Sequence, residues 1–212
     1  MPSKPLDTIV YIDGFNFYHS LKNTSYKWLN IEKLINSILD SSWHNVIKIK
    51  YFTAKTPFSE SAHRQSVYFK AIDTLQKVEI VYGKFKKRHI KVRKKYIEKL
   101  FILTGEPQKL EHIKSILREN IVQFPTNEEK ETDVNIATHI IYDCCKENIS
   151  SIVLLSNDTD LKLPLWFARK KLKKRVVVIT PMEMETHQDL RKISNKTLSL
   201  KENHLKKVGF RI

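Results

Sequence analysis

A three-layer α/β fold with a central, mainly parallel sheet and one basic insertion is the architecture this sequence predicts. Three observations predict it. Short runs of β-branched and Leu residues alternate with segments of helical period along most of the chain. Two of those runs, Thr8–Ile12 and Ile152–Leu155, stop abruptly in acidic residues. The alternation breaks once, over residues 84–120, where basic residues crowd together.

The elements follow in order. Thr8–Ile12 reads as a buried strand that runs into Asp13-Gly14-Phe15-Asn16, and Phe15, Phe17, Tyr18 and Leu21 continue as a short helix. Asn30 caps a second helix, because Ile31, Leu34, Ile35, Ile38 and Leu39 repeat with the 3.6 period. Val46–Phe52 is a strand, Ser59–Leu75 a helix, and Val78–Tyr82 a strand ending at Gly83. Residues 84–120 form an excursion whose first part fits a hairpin or a helix; Gly105-Glu106-Pro107 marks a turn and Leu110–Leu117 has helical character. Ile121–Phe124 reads as a strand closed by Pro125-Thr126-Asn127.

Glu128–Asp133 opens a helix carrying Val134, Ala137, Ile140, Ile141, Cys144 and Cys145 on its apolar positions, with His139 as a core or rim histidine. Ile152–Leu155 is the next strand, Leu161–Arg169 the next helix, and Arg175–Ile179 the last obvious strand; a short helix and an irregular tail complete the chain. All 212 residues are expected to form a single domain.

Composition narrows the class. Ten Phe and three Trp within a 41% hydrophobic chain indicate a packed core. Cys144 and Cys145 are adjacent, without metal-ligand spacing, and read as packing residues of a reducing compartment. No apolar run is long enough to span a membrane and the N-terminus lacks a signal sequence, so a cytoplasmic protein without membrane contact is expected.

Charge is more specific. Thirty-eight Lys and Arg against 23 Asp and Glu give a formal net charge of +15. Lys84–Lys99 holds nine basic residues and one Glu, and Arg169–Arg175 holds six basic residues and no acid. Clustered charge of this kind points to nucleic acid, with Lys86, Lys87, Arg88, Arg93 and Lys94 as phosphate contacts. Phe85 and Tyr96 are stacking platforms if exposed and core residues if not.

Asp13 and Asp158 each follow a buried strand, so a parallel sheet places both at its carboxyl edge, where ligands bind in such folds. A helix beginning near Asp133 brings in a third carboxylate. Like charges gathered in one place repel unless cations neutralise them, and all-oxygen donors suit a hard cation such as Mg²⁺. Each acid also has an ordinary explanation, since Asp caps helices and Asp-Gly makes turns. A phosphatase-type site would want a second Asp two residues beyond Asp13, and Phe15 stands there.

Tyr11-Ile12-Asp13-Gly14-Phe15-Asn16-Phe17-Tyr18, followed by Tyr26-Lys27-Trp28-Leu29-Asn30, resembles the opening of the NYN-domain family of PIN-like ribonucleases. Tyr51-Phe52-Thr53-Ala54, Arg64-Gln65, Asp133-Val134-Asn135-Ile136-Ala137, Ser156-Asn157-Asp158-Thr159-Asp160 and Ile193-Ser194-Asn195 recur in the same order. The resemblance implies a PIN-like, Rossmann-like sheet and endonucleolytic cleavage of RNA by a hydrolase that binds Mg²⁺ or Mn²⁺. Asp13, Asp133, Asp158 and Asp160 are then the catalytic and metal-binding set, with Asn16, Asn157 and Arg64 contacting substrate. Where the family often has Lys-Gly-x-Asp, this chain has Lys130-Glu131-Thr132-Asp133, and Glu131 either faces solvent or adds a fifth carboxylate. A non-catalytic RNA-binding module on the same fold is the alternative. RNA is the expected partner, and the oligomeric state, homodimer included, is left open.

Overall fold

The computed structural model describes residues 4–57, 59–103, 121–206 and 208–210. Two compact units emerge: Met1–Lys84 with Lys130–Ile212, and Phe85–Glu129.

The larger unit is built on six strands, β1 (Leu6–Asp13), β2 (His44–Thr53), β3 (Val78–Tyr82), β6 (Ser151–Leu155), β7 (Arg175–Thr180) and β8 (Lys196–Ser199), in the order β3-β2-β1-β6-β7-β8. Every neighbouring pair is parallel. Connections from β1 lead outward through β2 and β3, whereas β6 leads the other way through β7 and β8. The order therefore reverses between β1 and β6, and such a reversal opens a crevice at the strands' carboxyl ends.

Both faces of the sheet are covered, which is why its central strands read as continuous apolar runs instead of alternating ones. Val10 and Ile12 of β1 point to one side, where they meet Phe17 and Leu21 of α1 (Gly14–Leu21), Leu34 and Ile35 of α2 (Ile31–Ile38), and Phe69 and Ile72 of α3 (Ser59–Asp73). Ile9 and Tyr11 point to the other, against Ile136 and Ile140 of α5 (Thr132–Lys146), Leu165 and Ala168 of α6 (Lys162–Lys170), and Leu190 and Ile193 of α7 (Gln188–Ile193). A last turn of helix, α8 (Glu202–Leu205), adds Leu205 to the first side. Asn30 does cap α2, its side chain accepting from the Lys33 amide at 3.0 Å.

Helix α5 is fastened by charge as well as by apolar packing. Lys50 of β2, almost wholly buried, places its ammonium 2.7 Å from Asp143 Oδ2 and 2.9 Å from His139 Nδ1. Tyr11 of β1 donates its hydroxyl to the same carboxylate at 2.9 Å. Burial and the Asp143 charge drive the Tyr11 pKa far upward, so its proton stays in that bond. An ammonium donating to Nδ1 fixes the neutral His139 ring with its proton on Nε2.

Burial and then the Lys50 charge lower the His139 pKa, and burial followed by Arg175 lowers that of His44. The unfolded chain therefore binds these protons more readily than the folded one. Their contribution to stability is complete above the ordinary imidazole range and is lost as pH falls through it. A thermal unfolding series from about pH 7 to about pH 5 is expected to show a falling midpoint, with a smaller fall in His139→Gln. A flat midpoint in the wild type would contradict this.

The smaller unit contains the two-stranded sheet of β4 (Lys84–Arg93) and β5 (Ile121–Lys130), with α4 (Lys94–Leu103) between them in sequence. Strand and helix thus both occur in the basic excursion. Lys86, Lys87, Arg88 and Arg93 are exposed, Lys94 is half-buried, and Arg88 pairs with Glu128 at 2.6 Å. Tyr96 is exposed instead of core, with Lys95 Nζ 5.1 Å from its ring centre, whereas Phe85 is half-buried. The turn expected at Gly105-Glu106-Pro107 and the helix expected at Leu110–Leu117 lie outside the described residues.

Several boundaries move. Strand β5 runs through Pro125 to Lys130 instead of closing there, since a proline is tolerated on a strand that needs only one bonded edge. Glu128–Lys130 therefore belong to a strand, and α5 starts at Thr132. Arg175–Thr180 is not the last strand, because four residues of β8 pair with it along the sheet edge. Cys144 packs in the core, and burial pushes its thiol up to about 12, but Cys145 is exposed.

Candidate metal centre

Asp13 is the last residue of β1, and Asp158 lies just beyond β6, the two strands that flank the reversal. Asp133 stands in the first turn of α5. One carboxylate oxygen from each of these three residues lies within 4.8 Å of the other two. Asp13 is buried, Asp158 half-buried and Asp133 exposed, so the cluster opens outward from the sheet.

The capping and cluster roles turn out to coexist. Asp13 Oδ1 accepts from the Asn16 amide at 3.0 Å, capping α1. Asp158 Oδ1 accepts from the Asp160 amide at 2.9 Å, capping the 3-10 turn Thr159–Leu161. Each bond fixes a carboxylate's direction, and a carboxylate can accept more than one bond.

Ser156, not assigned a role from sequence, joins the two. Its buried hydroxyl donates to Asp13 Oδ2 at 3.0 Å and accepts from the Asp158 amide at 3.1 Å. A small hydroxyl two residues before an Asp that follows a strand is the signal that marks it in retrospect.

Gly14 is required sterically. A Cβ there would stand 2.5 Å from the Phe52 carbonyl oxygen and 2.9 Å from the Tyr51 ring. The turn from β1 into α1 presses the backbone against β2, and that closeness aims Asp13 at the crevice. The Tyr51 hydroxyl is buried, and burial first, then the Asp13 charge, raises its pKa.

The other expected residues divide. Asp160 is exposed, joins by its backbone amide, and is not in the three-carboxylate cluster. Asn16 Oδ1 accepts from the Asn157 amide at 3.3 Å. Asn157 itself latches the loop before α7, donating to Glu185 O at 3.0 Å and accepting from the His187 amide at 2.9 Å. Arg64 is exposed on α3; its neighbour Gln65 holds Ala54 O and the Thr56 amide at the end of β2. Glu131 faces solvent, 3.3 Å from Lys84 Nζ. Its φ of 78° lies in the left-handed region, which favours glycine and which L side chains disfavour.

The three carboxylates form an all-oxygen donor set, which fits a hard divalent cation and offers nothing to a thiophilic one. Asp13, Asp133 and Asp158 are the residues that would hold it.

A parallel α/β sheet with an acidic cluster at its switch point is the class that fold and site define. The chain belongs to the NYN domain family, whose profile matches residues 7–201. It is 30% identical over 203 residues to 6-hydroxy-3-succinoylpyridine 3-monooxygenase HspA of Pseudomonas putida (strain DSM 28022 / S16), a match covering 85% of this chain and 61% of the relative. The chain therefore spans less than two thirds of that relative's length. A crystal structure of VPA0982, a protein of unknown function from Vibrio parahaemolyticus RIMD 2210633, superposes with a TM-score of 0.59 at 12% identity, covering 96% of this chain and 98% of that one. That likeness concerns the fold.

Among the described residues, no helix is long and apolar enough to cross a membrane.

Proposed function

We propose that this protein is a divalent-cation-dependent endoribonuclease. The observation that carries the reading is the convergence of Asp13, Asp133 and Asp158 from three separate elements at the switch point of an NYN-family sheet. NYN domains are generally nucleases, and a net charge of +15 attracts a polyanion. The proposed cofactor is Mg²⁺ or Mn²⁺, and the proposed place of action is the cytoplasm.

When bound, such a cation supplies Lewis-acid stabilisation of a phosphodiester and of the attacking water. The chain's own residues do the rest. The three carboxylates hold the cation, Ser156 keeps Asp13 and Asp158 in register, and the Asn16 amide fixes the Asp13 oxygens. Asp160 is proposed as the fourth acid of the set, a ligand or a partner beside the three, and Asn16, Asn157 and Arg64 are the proposed substrate contacts. Lys86, Lys87, Arg88, Arg93 and Lys94 are the proposed phosphate contacts.

The deciding experiment is cleavage of labelled single-stranded and structured RNA with Mg²⁺, with Mn²⁺ and with chelator. Metal-dependent cleavage is expected, and chelator should stop turnover while leaving RNA affinity nearly intact. Absence of cleavage together with absent calorimetric metal binding at millimolar cation would put the non-catalytic RNA-binding module in front. The named relative favours a second reading, oxygen chemistry on a hydroxypyridine. Incubation of this protein with 6-hydroxy-3-succinoylpyridine, oxygen and a two-electron reductant tests it through substrate loss.

Phosphate contacts by the basic strand make a separate prediction. Each phosphate neutralised on a single strand contributes about −0.7 to the slope of log affinity against log salt. Replacing Lys86, Lys87, Arg88, Arg93 and Lys94 by Gln is expected to flatten that slope by up to about three units, evenly across RNA sequences. Titrations at several salt concentrations that give parallel lines for variant and wild type would make this strand a bystander.

A further inference from the structure

Helix α6 begins directly behind the acidic cluster, with Asp158 and Asp160 just ahead of its first residue, Lys162. Its inner face is ordinary core: Pro164, Leu165 and Ala168 are buried. Its outer face is not an ordinary polar surface. Leu163, Trp166, Phe167 and Lys170 stand at i, i+3, i+4 and i+7, one stripe of the helix. Leu163 is 70% exposed, and Trp166 and Phe167 are each 37% exposed.

The helix connects β6 to its parallel neighbour β7, so it runs back from the sheet's carboxyl edge to its amino edge. At that far end lies the basic run Arg169–Arg175. The structure sorts its charges into two groups. Arg169 donates to Lys192 O and Ser194 O, Lys174 donates to Ile149 O, and Arg175 lies over the Trp43 ring. These three are occupied in holding the fold. Lys170, Lys171 and Lys173 are exposed, and Lys171 Nζ lies 5.7 Å from the Trp166 ring centre. Lys173 keeps a φ of 56°, a position that glycine ordinarily fills after a helix. No acidic residue occurs between Leu161 and Arg175.

We infer that the outer face of α6 is a binding strip for single-stranded RNA, on which bases stack against Trp166 and Phe167 while Lys170, Lys171 and Lys173 meet phosphates. The inference rests on the nuclease reading and adds the path of the strand beyond the cut. Nine residues of helix make a strip about 13 Å long, enough for a few nucleotides leading away from the cluster. Flat aromatic faces interleaved with unopposed cations suit a polyanion with stacked bases. A second copy of this chain would bring the same lysines against these, and like charges oppose that pairing.

The test uses a fluorescein-labelled single-stranded RNA in chelator, so that binding is read without cleavage, across a salt series. Lys170→Gln with Lys171→Gln and Lys173→Gln is expected to flatten the log–log slope by up to about two units. Trp166→Leu should weaken binding by about fivefold or more with the slope unchanged, since stacking releases no counterions. It should also remove the RNA-induced quenching of intrinsic fluorescence. All substituted side chains are exposed, and circular dichroism verifies folding.

If both variants bind the long RNA as the wild type does, with parallel salt lines, the inference fails, whether the strip is then idle or serves an acidic protein. Cleavage by a wild type with such parallel lines would sink this inference alone. Slope loss in a protein that cuts no RNA would uphold the strip and sink the nuclease reading.

Discussion

Asp158→Asn is expected to lower RNA cleavage by more than about a hundredfold while leaving the protein folded and slightly more stable. The amide keeps the shape of the carboxylate, and its oxygen still accepts from the Asp160 amide, so the cap survives. Its charge is gone. With three carboxylates whose oxygens lie within 4.8 Å of each other, loss of one charge removes repulsion that the cation otherwise offsets. In metal-free buffer the gain should be about 1 kcal/mol, or a rise of about 3 °C in the unfolding midpoint. Retained wild-type cleavage would remove Asp158 from the site. A large drop in the midpoint would mean that its charge is tied to a structural partner.

Asp143→Ala should be the most damaging single substitution to stability. It strands the Lys50 ammonium in the interior and takes a partner from the Tyr11 hydroxyl. Truncating one member of a buried ion pair costs about 3–5 kcal/mol, a large share of the total of about 5–15 kcal/mol typical of a domain. The control is the double replacement Lys50→Met with Asp143→Leu, which removes both charges and fills the space. It should recover part of the loss in urea unfolding, because an apolar pair of similar volume replaces an ion pair at little cost while the Tyr11 hydroxyl stays without its acceptor. If Asp143→Ala unfolds within about 1 kcal/mol of the wild type, the pair is not carrying α5. The connection to function is geometric: the helix that Asp143 fastens to β1 and β2 carries Asp133 at its other end.

The order of strands and helices was readable because each central strand is buried on both faces and each helix on one. Hydrophobic period then records the element directly, as in Ile152–Leu155, expected as a strand and found fully buried within β6. Reading failed where packing gives no period. Strand β8 has four residues on a sheet edge and alternates too briefly to register. The outer stripe of α6 was read only as part of a helix, because Trp166 and Phe167 look the same in sequence whether they face core or solvent.

Asp13 and Asp158 could be placed on the same edge of the sheet from sequence alone, since in a parallel sheet any residue just past a strand falls on the carboxyl edge. That is a property of chain direction and needs no tertiary detail. Asp133, on a helix, and Asp160, two residues past Asp158, were another matter. The turn at Glu131, with its left-handed backbone, aims the first turn of α5 and brings Asp133 in. The 3-10 turn after Asp158 leaves Asp160 exposed. The hydroxyl of Ser156 and the Lys50–Asp143–His139–Tyr11 network belong to the same category. Their partners are 143, 132, 93 and 89 residues apart in sequence, and only the closing of the sheet around α5 decides which buried polar group meets which.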